Sequence, residues 1–230
     1  MTDFYKTILI GSSGGIGKAL KDELIIKFGR ENVICFSKSK DRKLDITNEE
    51  QIERAADELK KNSIKSNLLI NAIGYLHDEN FLPEKKVSEI NSNYLLKSFQ
   101  INTIGHALII KYFSPLLDHE KPSVLACLSA RVGSISDNYL GGWFGYRSSK
   151  AALNQIVKSS SIEFNRKKSN LIFASIHPGT VYTNLSKPFV KNKKISSPSE
   201  SAKNILKVIY NLKLDDSGNF IDYNGNLIPY

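Results

Sequence analysis

Lys6-Thr7-Ile8-Leu9-Ile10-Gly11-Ser12-Ser13-Gly14-Gly15-Ile16-Gly17 is a short apolar run that breaks into a glycine-rich turn and opens a helical pattern. A turn without side chains lets the backbone pass close to a pyrophosphate, and the N-terminus of the following helix presents unpaired N–H groups and a positive dipole end. The stretch therefore reads as a dinucleotide site. Its glycine spacing, Gly11, Gly15, Gly17, is a variant of the G-x-G-x-x-G fingerprint.

Working outward, Ile16, Leu20, Leu24 and Phe28 recur at helical spacing, Gly29 stops the helix, and Asn32 to Phe36 reads as a buried strand. This is one β-α-β unit. At the end of its second strand an acidic residue would bind the 2′-hydroxyl of NAD, whereas this chain carries Ser37-Lys38-Ser39-Lys40. Two lysines and no carboxylate favour NADP(H) over NAD(H). A capping box, Thr47 to Glu50, opens a helix running to about Lys61, and Asn67 to Asn71 is a third buried strand, leading into Ala72-Ile73-Gly74. Strands alternating with helices predict a three-layer, doubly wound Rossmann fold with a mainly parallel sheet of about seven strands. Asp45, Asn71 and Gly74 fall at the carboxyl edge of that sheet, where ligands bind.

Residues 75–92 read as a loop with a short helix around Pro83, and a long apolar helix spans about Asn93 to Leu117 with Asn102 in its middle. A buried amide there needs a partner, either a core hydrogen bond or a water or backbone contact beneath an active site. After the buried strand Ser123 to Leu128, Tyr146 and Lys150 stand four apart on one helix face. An ammonium beside a phenol favours the phenolate and suits the phenol to protonating a carbonyl oxygen. The helix continues to about Arg166, and Asn170 to Ile176 is the next strand. His177, before a proline turn, reads as structural. Residues 184–198 are polar and basic and read as a substrate-side flap; Ser197-Pro198-Ser199-Glu200 caps a last helix, and Asn219 to Ile228 reads as a strand and hairpin turn.

The 230 residues, 41% hydrophobic and 24% charged, suit one domain over 1–230. No basic n-region or 18-residue apolar run is present, so a cytoplasmic, non-membrane protein is expected. Cys35 and Cys127 sit in strand-like runs without metal-site or disulfide spacing, so no metal is expected. The formal charge of +9 is scattered, as at Lys85-Lys86 and Lys191 to Lys194, without aromatic interleaving; it fits phosphorylated small ligands and not nucleic acid.

Together these residues resemble the classical short-chain dehydrogenase/reductase family, across essentially the whole chain. The family's Gly-x-x-x-Gly-x-Gly loop matches Gly11, Gly15 and Gly17; its strand-end motif matches Asn71-Ala72-Ile73-Gly74; its mid-helix asparagine matches Asn102. Its Tyr-x-x-x-Lys pair matches Tyr146 and Lys150, and its Pro-Gly-x-x-x-Thr turn matches Pro178, Gly179 and Thr183. The segments Ser129-Ala130-Arg131-Val132-Gly133-Ser134-Ile135 and Tyr146 to Asn154, with the ending Asp222 to Tyr230, are similar to the branch of sniffer carbonyl reductase and the C-factor signalling proteins.

The resemblance implies hydride transfer between a nicotinamide and a small carbonyl or alcohol, by a homodimer or homotetramer. Tyr146 would protonate the oxygen, Lys150 would lower its pKa and hold the nicotinamide ribose, and Asn102 would support a water. Asp45 would meet the adenine, Asn71 the adenosine ribose, and Val181 and Thr183 the carboxamide; Ser13, Ile16, Ser37, Lys38, Gly74, Pro178 and Gly179 would line the rest of the cofactor. The family's orienting serine lies three residues before Gly133, which here is Ala130; Ser129 takes the role, with Ser134 the alternative. Against this enzyme stands a C-factor-like reading, in which the dinucleotide serves a signalling protein with little turnover.

Overall fold

Among the described residues of the computed structural model, seven strands, each parallel to its neighbours, run in the order β3-β2-β1-β4-β5-β6-β7. The structure describes residues 4–39, 42–190 and 195–230. The strands are β1 (Thr7–Ile10), β2 (Val33–Ser37), β3 (Arg42–Lys43), β4 (Leu68–Asn71), β5 (Ser123–Leu128), β6 (Leu171–His177) and β7 (Asn219–Asp222). The helices between them are α1 (Gly15–Phe28), α2 (Glu49–Lys61), α3 (Ser92–Phe99), α4 (Gly105–Phe113), α5 (Phe144–Arg166) and α6 (Pro198–Asn211). The order reverses between β1 and β4, the switch point where a doubly wound sheet opens a crevice at its carboxyl edge.

The layers follow from the two-residue period of a strand. Leu9, Cys35, Ile70, Ala126 and Ala174 face Leu20 and Leu24 of α1 and Ile205 and Ile209 of α6. Their neighbours Ile8, Ile10, Phe36, Leu69, Leu125 and Phe173 face Ile52 of α2, Ile109 and Phe113 of α4, and Leu153 and Val157 of α5. Burial on both faces explains the unbroken apolar runs of these strands.

Local chemistry moves several expected boundaries. Asn48, not Thr47, caps α2, accepting from the Gln51 N–H, because the Thr47 hydroxyl is drawn to Asp45 Oδ1 at 2.8 Å. No helix forms around Pro83; the short helical turn is Val87–Glu89. The long apolar helix is α3 and α4 joined through a π-helical segment, Gln100–Ile104, and it ends in a 3-10 turn, Ser114–Leu116. Ser197 caps α6 by accepting from the Glu200 N–H. After β7 the chain turns back, with Ile228 N–H donating to the Phe220 carbonyl. Lys40 and residues 191–194 of the expected flap lie outside the described residues.

Candidate active site

The glycine turn is pinned to β2: the N–H groups of Gly11 and Ser12 both donate to the Phe36 carbonyl, at 2.8 and 3.1 Å. Gly17 is obligatory, since a Cβ there would sit 2.0 Å from the Gly11 carbonyl oxygen. No side chain caps the start of α1, and its first turn holds no acidic residue. Ser13, Gly14 and Gly15 are exposed and Ile16 half-buried above it, so the N–H groups of a helix end are left open for an anion. Across the turn, the Thr183 methyl lies 2.7 Å from where a Cβ on Gly15 would be. At the end of β4, Asn71 is fully buried with its Nδ2 unpartnered, while its Oδ1 accepts from the Ile73 N–H. An uncapped helix end, a close-approach turn and an orphaned amide donor on one edge fit a dinucleotide.

Beside them, Ser37 closes β2 buried, and Lys38 reaches out of the next position. Its Nζ lies 2.7 Å from Asp45 Oδ2, with 77% of the lysine side chain exposed. Burial pushes the Asp45 carboxyl up, but hydrogen bonds from Lys38 and Thr47 outweigh it and hold the group below its usual range. Asp45 is thus ionised and engaged with the lysine expected to meet a phosphate.

Tyr146 and Lys150 share a buried face of α5. Lys150 is 2% exposed and donates from Nζ to the Leu128 carbonyl at 2.9 Å. Burial brings its ammonium down to about 8, and burial pushes the Tyr146 phenol well above its usual value, followed by the influence of Tyr94. The phenol is therefore protonated in this state, and Lys150 is held by β5. The expected lowering of the phenol by Lys150 does not appear in this arrangement. A Cβ on Gly74 would lie 3.9 Å from Lys150 Nζ and 4.0 Å from Asn102 Oδ1, so Gly74 is the gap over which these two groups meet.

Asn102 takes the backbone alternative. Its Oδ1 accepts from Tyr75 N–H at 2.8 Å, and its Nδ2 donates to the Tyr75 carbonyl at 2.8 Å and to Ser149 Oγ at 3.1 Å. The π-helical segment that carries it brings this amide against both the loop after β4 and the turn of α5 between Tyr146 and Lys150. Ser129 is buried, and its hydroxyl donates to Asn154 Oδ1 at 2.7 Å, one helical turn beyond Lys150. By strand alternation Ser129 continues the face of Cys127, which looks onto α5. Its bond is with Asn154 and not with Tyr146.

The loop after β6 completes the edge. The Pro178 carbonyl accepts from Ser201 Oγ, Gly179 adopts φ +81° against the Tyr223 ring, and Val181 bridges to Ser196. His177 is brought down to about 4, by burial first and then by Arg131, and its ring packs on Tyr223. A group the sequence reading missed lies above Tyr146: Trp143 packs on it at 6.1 Å between centroids, Phe189 on Trp143 at 5.2 Å, and His77 on Phe189 at 5.3 Å. These rings come from three loops with no common periodicity, so only the fold assembles them.

Comparison with known proteins agrees with this architecture. A family model described as enoyl-(acyl carrier protein) reductase matches residues 31–213. An uncharacterized oxidoreductase of Schizosaccharomyces pombe is 30% identical, covering 96% of this chain and 96% of its own. The chain therefore belongs to the short-chain dehydrogenase/reductase family. The C-signal protein of Myxococcus xanthus is 32% identical over 59% of this chain and 78% of its own. Among solved structures, NADPH-bound carbonyl reductase from chicken fatty liver superposes with a TM-score of 0.85 at 23% identity, over 100% of this chain and 96% of that one. Carbonyl reductase sniffer of D. melanogaster gives 0.81 at 20% identity, over 99% and 100%. No helix among the described residues is long and apolar enough to cross a membrane.

Proposed function

We propose that the protein is an NADP(H)-preferring carbonyl reductase acting on a small aldehyde or ketone, with Tyr146 as general acid. The observation that carries this reading is the meeting of Lys150 and Asn102 at Gly74, with Tyr146 on the same buried face of α5 as Lys150, at the same sheet edge as the open glycine turn. When bound, the nicotinamide supplies the hydride. The glycine turn and the first N–H groups of α1 hold the diphosphate, Asn71 Nδ2 donates toward the adenosine-side ribose, and Lys38 faces the 2′-phosphate. Val181 and Thr183 meet the carboxamide. Tyr146, protonated at neutral pH, gives its hydroxyl proton to the carbonyl oxygen. Lys150, buried on the same face of α5, would hold the nicotinamide ribose and offer its ammonium to the phenolate that forms. Asn102 fixes the Tyr75 loop against α5, and Ser129 fixes Asn154 on the same helix. The aromatic rings of His77, Trp143 and Phe189 favour flat or apolar substrates.

Exposed Leu96 on α3, Ile104 just before α4 and Ile162 on α5 support a homodimer or homotetramer. The second reading, a dinucleotide-binding signalling protein like C-signal, is favoured by one observation: the Ser129 hydroxyl is already engaged by Asn154. Consumption of NADPH against a panel of aldehydes and ketones separates the two. Turnover dependent on Tyr146 supports the reductase, and NADPH binding with no turnover on any carbonyl supports the signalling protein.

A further inference from the structure

Glu84 is a carboxylate only 3% exposed, in the loop between β4 and α3, and the hydride-transfer chemistry makes no use of it. Its two oxygens lie 3.3 and 3.2 Å from the N–H of Gly145, the second residue of α5 and the one before Tyr146. Its own carbonyl accepts from the Trp143 N–H at 2.5 Å. Trp143 is the N-cap position of α5, held left-handed at φ 52°, ψ 44°, and offers no side-chain cap itself. The first N–H groups of a 23-residue helix thus lack a local partner, and a carboxylate is the group that best satisfies them and opposes the dipole. Here it arrives from a residue 61 positions upstream.

The fit around it is close. A Cβ on Gly142, φ +63°, would sit 3.3 Å from the Glu84 carbonyl oxygen, and one on Gly145 would strike the Tyr94 ring at 2.8 Å. The Tyr94 hydroxyl in turn donates to the Leu76 carbonyl, which ties the start of α5 to the loop after β4.

We infer that Glu84 is a positioning residue for Tyr146, capping α5 from a distant loop and so fixing the place of the phenol and of the Trp143 ring packed on it. This rests on the reading of Tyr146 as proton donor. Trp143 is the only tryptophan of the chain, so its fluorescence reports the anchor independently of turnover.

The test compares Glu84→Ala and Glu84→Gln with the full-length wild type in kcat at saturating substrate and NADPH, NADPH affinity, and Trp143 emission with acrylamide quenching. Glu84→Ala is expected to lower kcat about tenfold or more, in line with the sensitivity of rate to small misplacements. NADPH affinity should stay within about twofold, because the glycine turn, Asn71 and Lys38 carry the diphosphate and adenosine half, and Trp143 emission should shift red as the ring loses its packing on Tyr146. Glu84→Gln keeps an acceptor for the Gly145 N–H and should restore most of kcat and the wild-type emission. Wild-type kcat or unshifted emission in Glu84→Ala overturns the inference. So does a Glu84→Gln as impaired as Glu84→Ala, or NADPH binding lost in parallel with kcat. Should the wild type itself prove inert with every carbonyl, the proton-donor reading fails, and the emission arm still decides whether Glu84 anchors α5.

Discussion

Lys150 Nζ lies 2.9 Å from the carbonyl of Leu128, the last residue of β5, inside a site where the lysine is 2% exposed. The strand end therefore carries the charge that the chemistry needs. Burial lowers the ammonium from 10.5 to about 8, so between those values the unfolded chain binds more protons than the native one. Stability should rise with pH across that window, and the full penalty is present below it. A Lys150→Met variant lacks this contribution. The stability of the wild type relative to Lys150→Met should improve by up to about 3 kcal/mol between pH 7 and 10.5. Denaturant titrations of both proteins across that range check this; a difference independent of pH would contradict it.

Ser129 and Asn154 form a buried pair at 2.7 Å. Removing the hydroxyl leaves Asn154 Oδ1 without its donor next to an Nδ2 that already has no partner, which should cost about 1–3 kcal/mol. Ser129→Ala is expected to lower the unfolding midpoint while kcat falls less than about tenfold, a positioning effect smaller than loss of an acid catalyst. A Ser129→Ala enzyme with native stability and almost no turnover would instead assign Ser129 to the substrate.

Cofactor choice rests on an exposed lysine. Because the Lys38 side chain stands largely in water, its pair with Asp45 is worth only about 0–1 kcal/mol and gives way readily to a 2′-phosphate. Lys38→Glu should weaken NADPH by about tenfold or more, the size of one lost charge-assisted contact, and leave NADH within about twofold. Fluorescence titration with both nucleotides reads this directly, and equal weakening of the two would refute the role given to Lys38.

Asn102 holds both backbone groups of Tyr75. Asn102→Leu would strand a buried N–H and a buried C=O, at about 1–3 kcal/mol each, and release the loop that follows β4. Loss of amide protection at Tyr75 and its neighbours in hydrogen exchange is the expected signature. Unchanged protection would show that the loop is held by something else.

The strands other than β3, with α1 and α5, were legible because each depends on local pattern: apolar runs, a four-residue helix spacing, glycines at fixed offsets; β3, the exposed pair Arg42–Lys43, carries no apolar run to announce it. What was not legible depends on contacts between distant segments. Thr47 satisfied the rule for a cap, yet Asp45 competes for its hydroxyl and Asn48 takes the position. The π-helical segment at Asn102 has no local signal, since it follows from what the amide reaches 27 residues away. Glu84 reads as one more charged loop residue until the fold brings Gly145 to it. The ring group over Tyr146 likewise exists only once three loops close on one another.

Tyr146 is the group proposed to deliver the proton. The direct measurement is NADPH oxidation with a panel of small aldehydes and ketones by wild type and Tyr146→Phe, with NADPH binding titrated in both. Loss of general acid catalysis predicts a fall in kcat of about 10²–10⁴ in Tyr146→Phe, with NADPH affinity preserved within a few fold. Equal turnover by the two proteins, or NADPH binding with no turnover by either, would contradict it.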